Sequence, residues 1–146
     1  MFSKATEYAL RAVIHIARKS STENKLGLVE IAEAIDSPQS FTAKILQKLT
    51  IENKIISSVR GPKGGFYITE KGKKLQVRSV LKAMGEDAIL GQCVLGLNKC
   101  SDTKPCPMHH QYKLIKEQMI YLFENKTIGD LACEMTEGNF FINNKK

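Results

Sequence analysis

Ser57-Ser58-Val59-Arg60-Gly61-Pro62-Lys63-Gly64-Gly65-Phe66-Tyr67-Ile68-Thr69 sets two short β-rich arms on either side of a cationic, glycine-bearing turn. Glycine accepts positive φ without a Cβ clash and Pro62 pre-sets φ for a reversal, so a tight turn is expected with Arg60 and Lys63 held outward. Alone, the stretch also reads as an ordinary hairpin with a solvated tip. What precedes it decides. Leu28, Ile31, Ala32 and Ile35 recur every three or four positions and predict a short helix, stopped at Asp36-Ser37-Pro38 because a residue before proline avoids the helical region. A further helix is predicted over 38–50, with Pro38 at its first position, Phe41, Ile45, Leu46 and Leu49 on the buried face, and Gln39, Ser40, Thr42, Lys44, Gln47 and Lys48 opposite. Two short helices across a tight turn, then a hairpin with strands at 54–59 and 66–69, describe a winged helix-turn-helix.

Working outward, Ala5, Tyr8, Ala9, Ala12, Val13 and Ile16 predict an amphipathic helix over 3–18 with Ser3 as its cap. After the wing, Leu75, Val77, Val80, Leu81 and Met84 suit a helix ending near Gly85. A cysteine-bearing loop occupies 91–107. Tyr112, Ile115, Met119, Leu122 and Phe123 then mark a long helix over 108–125, and a short helix starts at a Thr127 cap. The tail from Asn139 to Lys146 is expected to fray. The fold class expected is therefore mainly α with a small β-wing: a winged helix-turn-helix over 1–75, and a cysteine loop with a long C-terminal helix over 76–146.

Lys and Arg total 22 against 15 acidic residues among 146, a net charge of +7. That excess favours an anionic partner and salt-sensitive association. The start of the chain has no apolar signal-peptide core and no apolar run reaches the ~18 residues of a membrane span, so a cytoplasmic protein without membrane contact is expected. No nucleophile triad, paired carboxylates or phosphate-binding glycine loop stands out, which argues against an enzyme. A helix about 10–12 Å across fits the major groove of double-stranded DNA. Gln39, Ser40, Thr42 and Lys44 at the start of the second helix of the unit would face base edges, Lys48 would meet phosphate or solvent, and Arg60 and Lys63 would reach phosphates or enter a minor groove narrowed by an A-tract. A winged helix serving protein contacts without DNA is the alternative for this half.

Three of the four cysteines are spaced Cys93-x6-Cys100-x5-Cys106. This matches neither the paired spacing of zinc fingers nor a thioredoxin-like pair. Long spacings on a flexible loop suit an iron–sulfur cluster, whose irons need thiolates from several directions. Three thiolates leave a 2Fe–2S cluster one ligand short. His109 and Glu7, the latter reaching from a partner subunit, are the candidates for it; His110 projects about 100° away around the helix. The same cysteines also suit a metal-free thiol switch, or zinc with His109. Cys133 reads as a small apolar filler of the last helix, and His15 as a packed or surface histidine.

In this order, Ala9-Leu10-Arg11-Ala12, the helix-turn-helix, the wing from Ser58 to Phe66 and three spaced cysteines before a long helix resemble the Rrf-type family of bacterial winged-helix repressors. The match is to its cluster-binding branch within the IscR-, NsrR- and CymR-like group. The resemblance implies a homodimeric transcription regulator whose long helix packs on its symmetry mate and whose cluster tunes operator affinity in redox sensing. Carried over by position, Cys93, Cys100 and Cys106 match the cluster cysteines. His109 matches the histidine ligand of one branch, and Glu7 the acidic residue that another branch supplies from the first helix of the other subunit. The first cysteine interval is one residue longer than the family's usual five.

Overall fold

Helix α1, Lys4–Lys19, begins where the Ser3 hydroxyl accepts a hydrogen bond from the Thr6 backbone N–H, and it buries Ala9, Ala12, Val13, Ile16 and Ala17. The cap and stripe are those the apolar spacing predicts. The computed structural model describes residues 1–51 and 54–144; Lys145 and Lys146 of the expected tail lie outside them. Helices α2, Leu28–Ile35, and α3, Gln39–Ile51, pack with α1 into a three-helix head. Between them Asp36 takes the left-handed conformation at φ 54° and its N–H caps the Ala32 and Glu33 carbonyls. Aspartate tolerates that region better than most residues. Helix α3 starts one residue later than predicted, with the Thr42 N–H donating to the Pro38 carbonyl at 2.9 Å.

Strands β1, Ser57–Val59, and β2, Gly65–Tyr67, pair antiparallel with Ser57 opposite Tyr67 and Val59 opposite Gly65. They are shorter than the predicted arms because the flanking isoleucines do other work. Ile55 and Ile56 are buried in the core, as is Ile68, whose N–H donates to the Ser20 hydroxyl at 3.2 Å. Leu26 exchanges two 2.8 Å backbone hydrogen bonds with Phe66, so the loop before α2 joins the wing's base. Gly65, at φ 143°, permits this approach: a Cβ there would lie 2.6 Å from the Leu26 carbonyl oxygen.

The helix expected on Leu75, Val77, Val80, Leu81 and Met84 is shortened to α5, Arg78–Ala83, and a separate single turn, α4, Glu70–Lys73, precedes it. The shortening has a cause. Val77 N–H donates to the Lys126 carbonyl and Ile128 N–H to the Leu75 carbonyl, at 2.9 and 3.0 Å, tying the segment to the entry of the last helix. A 3-10 turn at Asp87–Gly91 leads into the cysteine loop, followed by α6, His109–Asn125, and α7, Ile128–Glu137. Thr127 and Asp130 form a reciprocal capping box at the start of α7.

Two apolar clusters result. The larger joins α1, α2 and α3 with Ile128 and Ala132 of α7. The smaller gathers Val77, Leu81, Leu90 and Phe123, with Phe2, Met119 and Ile120 against them. Leu10 packs on both. Cys133 belongs to neither: contrary to the filler reading it is exposed, its thiol donating to Glu137 at 3.4 Å. That carboxylate pushes the Cys133 thiol above its ordinary range.

Candidate nucleic-acid interface and cysteine loop

On α3, Gln39, Ser40, Lys44, Gln47 and Lys48 are exposed while Ile45, Leu46 and Leu49 are buried, so the helix presents a polar, cationic side to solvent. Thr42 is not on that side. Its exposure is 0 %, and its hydroxyl donates to the Pro38 carbonyl at 2.8 Å and bonds the Ser37 hydroxyl. The expectation of a base contact from Thr42 is corrected accordingly: its place is three before Ile45 and four before Leu46, on the core face. Arg60 and Lys63 are both exposed at the wing tip, where the Gly64 N–H closes the turn on the Gly61 carbonyl at 2.9 Å. A Cβ on Gly64 would meet the Val59 carbonyl oxygen at 2.0 Å, so this turn excludes every other residue.

The cysteine donors form two pairs. The backbone amides of Leu95 and Leu97, then the Cys106 thiol and the Gly96 amide, hold the Cys93 thiol below its ordinary pKa range. Successive amides turned toward one sulfur are a setting that favours a thiolate. The Cys100 sulfur lies 3.3 Å from Nδ1 of His109. His109 is only 3 % exposed at the first turn of α6, and its Nε2 bonds Asp102 at 2.7 Å. His109 and then Lys113 hold the Asp102 carboxyl below its usual range. With Nε2 carrying the proton toward Asp102, Nδ1 keeps its lone pair on the cysteine side. This is the arrangement in which a ligating imidazole is oriented by a carboxylate behind it.

Sulfur and imidazole donors of this kind fit an iron–sulfur group. Among the described residues, no three His, Cys, Asp or Glu side chains converge into a preformed metal site. Glu7 is half-buried on α1 and pairs with Lys4 at 3.5 Å. Asp102 and the three amides escaped sequence reasoning. Asp102 is recognisable only as the carboxylate two residues after a cysteine, and amide placement has no side-chain signature.

The Rrf2 family profile, described as an iron-dependent transcriptional regulator, matches residues 2–134. The chain belongs to the Rrf2 family. It is a transcriptional regulator of that family, not an enzyme. An Aquifex aeolicus protein named as an HTH-type transcriptional regulator is 30% identical over 133 residues, covering 90% of each chain. IscR of Klebsiella pneumoniae is 27% identical over 125 residues, covering 86% of this chain and 75% of IscR. Among solved structures, the B. subtilis global cysteine regulator CymR superposes with a TM-score of 0.74 at 18% identity, over 91% of this chain and 96% of CymR. The T. potens IscR structure gives 0.69 at 16%, over 94% and 89%. These structures share the fold.

In this Rrf2 chain, α6 turns a long apolar side to solvent. Leu114, Ile115, Tyr121 and Leu122 are 63, 53, 68 and 53 % exposed. Met108, Ile115 and Leu122 recur at intervals of seven, as do Leu114 and Tyr121, with Gln111, Gln118 and Asn125 between them. Seven-residue repetition is the pattern of helices that pair along their length. The other side of α6 holds Phe123 in the smaller cluster, edge-on to Phe2 with ring centroids 5.6 Å apart. No helix among the described residues is long and apolar enough to cross a membrane.

Proposed function

We propose that this Rrf2 protein is a homodimeric, cytoplasmic repressor whose affinity for duplex operator DNA is set by a 2Fe–2S cluster on the loop 91–107. In this reading residues 1–75 form the DNA-binding head and 76–146 the sensing and pairing half. Gln39, Ser40 and Lys44 face base edges, and Lys48, Arg60 and Lys63 meet phosphates. The exposed face of α6 pairs with its symmetry mate and places two α3 helices over successive major grooves.

The observation that carries the sensing assignment is His109. It is buried beside Cys100 with Asp102 behind it, which favours His109 over Glu7 as the fourth ligand with Cys93, Cys100 and Cys106. A cluster held there would supply an electron- and oxidant-sensitive centre. The chain's own part is mechanical. Gathering the two donor pairs draws Cys93 and Cys106 toward Cys100 and His109, and so orders the loop against the first turn of α6. Displacement of α6 reaches the head through Phe123 and Phe2 at the start of α1. A coupling of ~1–3 kcal/mol would change operator affinity 5- to 150-fold.

Anaerobic purification, reconstitution with iron and sulfide, and visible and electron paramagnetic spectra test the assignment, with footprinting upstream of the chain's own gene. Visible absorption lost in Cys100→Ser and His109→Ala but kept in Glu7→Gln is expected. Colourless protein that still footprints would leave the regulator and remove the cluster. A second reading, a metal-free thiol switch, draws support from the Cys93–Cys106 contact and from a neighbour, Staphylococcus aureus CymR, solved in an oxidized form. Operator affinity that responds to oxidant in the presence of chelator, and not in Cys93→Ser, would favour it.

A further inference from the structure

Beside the face proposed for DNA, a cavity of about 450 Å³ opens between α1, α3 and α5. Ala5, Phe41, Ile45 and Met84 give it an apolar wall, and Lys44 and Lys48 bring two ammonium groups to it. Among the described residues no carboxylate lines it. Neither lysine has an ion-pair partner among the described residues. Ile51, also in the lining, is 63 % exposed, a large apolar side chain left in water at the end of a helix otherwise well packed.

DNA would engage the two lysines, Lys44 at base edges and Lys48 at phosphate, but would leave this wall largely unused, since the polar, charged duplex surface offers no apolar body to fill it. A volume of this size lies within the ~300–1,000 Å³ of small-molecule sites, which pair a mostly apolar lining with a few polar groups. We propose that the cavity is a binding site for an amphiphilic organic anion, a molecule with an aromatic or acyl body and one carboxylate or sulfonate group. The body lies against Phe41, Ile45 and Met84 and the anionic group between Lys44 and Lys48. Because the same two ammonium groups are assigned to DNA, occupancy opposes operator binding, and by linkage DNA expels the ligand to the same degree. Only this antagonism rests on the DNA reading above; the ligand site stands apart from it. The head thereby gains a chemical input independent of the cysteine loop.

Two probes of similar aromatic size separate the terms in the full-length protein: anilinonaphthalene sulfonate, which is anionic, and phenylnaphthylamine, which is neutral. In fluorescence titrations the anionic probe is expected to bind about 5-fold more tightly, the upper end for an exposed ion pair. Lys44→Gln with Lys48→Gln should remove that preference and leave the neutral probe unchanged. Ala5→Phe, which fills the cavity, should weaken both, with circular dichroism confirming the fold. Duplex DNA at low salt should displace the anionic probe. Equal affinity for both probes, or indifference to the lysine changes, would overturn the proposal. So would probe binding that appears only after Ile115→Glu and Leu122→Glu separate the subunits, because a second copy would then be the occupant. Lysine-dependent binding that DNA does not displace would overturn the antagonism, and failure of DNA binding itself would leave the probe comparison readable.

Discussion

Glu86 shows how a single carboxylate positions a distant helix. It accepts hydrogen bonds from the Ser3 N–H, at 3.1 Å, and from the Ser3 and Thr6 hydroxyls, tying the start of α1 to the turn after α5. Ser3 and then Thr6 hold its pKa below the ordinary carboxylate value. A carboxyl whose pKa is depressed by folding adds stability above its unfolded pKa, and this is lost as pH falls through the folded value. Acidification from roughly pH 5 downward should therefore destabilise the protein in part through Glu86. Glu86→Gln should cost about 1–2 kcal/mol at neutral pH and flatten that part of the acid profile in urea unfolding. An unchanged profile would place the sensitivity elsewhere. Thr42 separates stability from recognition in the same way. Thr42→Val should cost about 1 kcal/mol of stability by leaving the Pro38 carbonyl short of a donor and the Ser37 hydroxyl short of an acceptor, with no change in operator sequence preference. Lys44→Gln should do the reverse.

At the scale of elements, the wing is the most exposed to test. Arg60→Gln and Lys63→Gln should each reduce the dependence of log affinity on log salt by about 1 while leaving sequence preference intact, if both meet phosphate. Gly64→Ala should damage binding by another route, since its Cβ cannot coexist with the Val59 carbonyl and the turn must open. Most of this architecture was legible in the sequence. Apolar spacing located α1, α2, α3 and α6, and the Gly-Pro-Lys-Gly-Gly run located the wing, because each is a local signal with a local cause. What was lost depended on contacts distant in the chain. The interruption between α4 and α5 comes from backbone pairing of Leu75 and Val77 with residues 126–128, some fifty positions on, and no local pattern carries it. Thr42 was misplaced for the opposite reason. Its spacing to Ile45, Leu46 and Leu49 put it on the core face, and only its polarity pointed outward. Cys133 is exposed because α7 buries Ile128, Ala132 and Met135, which turns the next position after Ala132 to solvent, whereas a small thiol on a helix is read as apolar. At the cysteine loop, the sequence supplied the donors and their spacing but not the carboxylate that fixes the imidazole.

In the molecule as a whole, the two apolar clusters meet at α1, which belongs to the three-helix head and also carries Phe2 to the long helix. Leu10 lies against both, and Arg78 ties the turn before the loop to the end of α6 through Asp87 at 2.6 Å and through Glu124. If α6, held at both ends, also pairs along its exposed side as proposed, it acts as a lever rather than a spacer. Ile115→Glu with Leu122→Glu should leave the secondary structure intact, since both side chains face solvent in the single chain. It should also yield monomers in sedimentation and weaken operator binding by about 100-fold, as the two half-sites are no longer engaged together. The lever itself is tested at its contact with the head. Phe2 is half-buried and edge-on to Phe123, so Phe2→Ala loses the ring pair, about 0.5–1.5 kcal/mol, together with part of one side chain's apolar burial, and circular dichroism and sedimentation should show it folded and dimeric. If α6 acts on the head through this contact, the variant should still take up the cluster and bind the operator, yet the affinity ratio between loaded and apo protein should shrink toward one. Fluorescence anisotropy on both forms reads that ratio directly. A ratio matching the wild type would move the coupling to the Glu86 and Arg78 ties, where Glu86→Gln and Arg78→Gln would then have to abolish it.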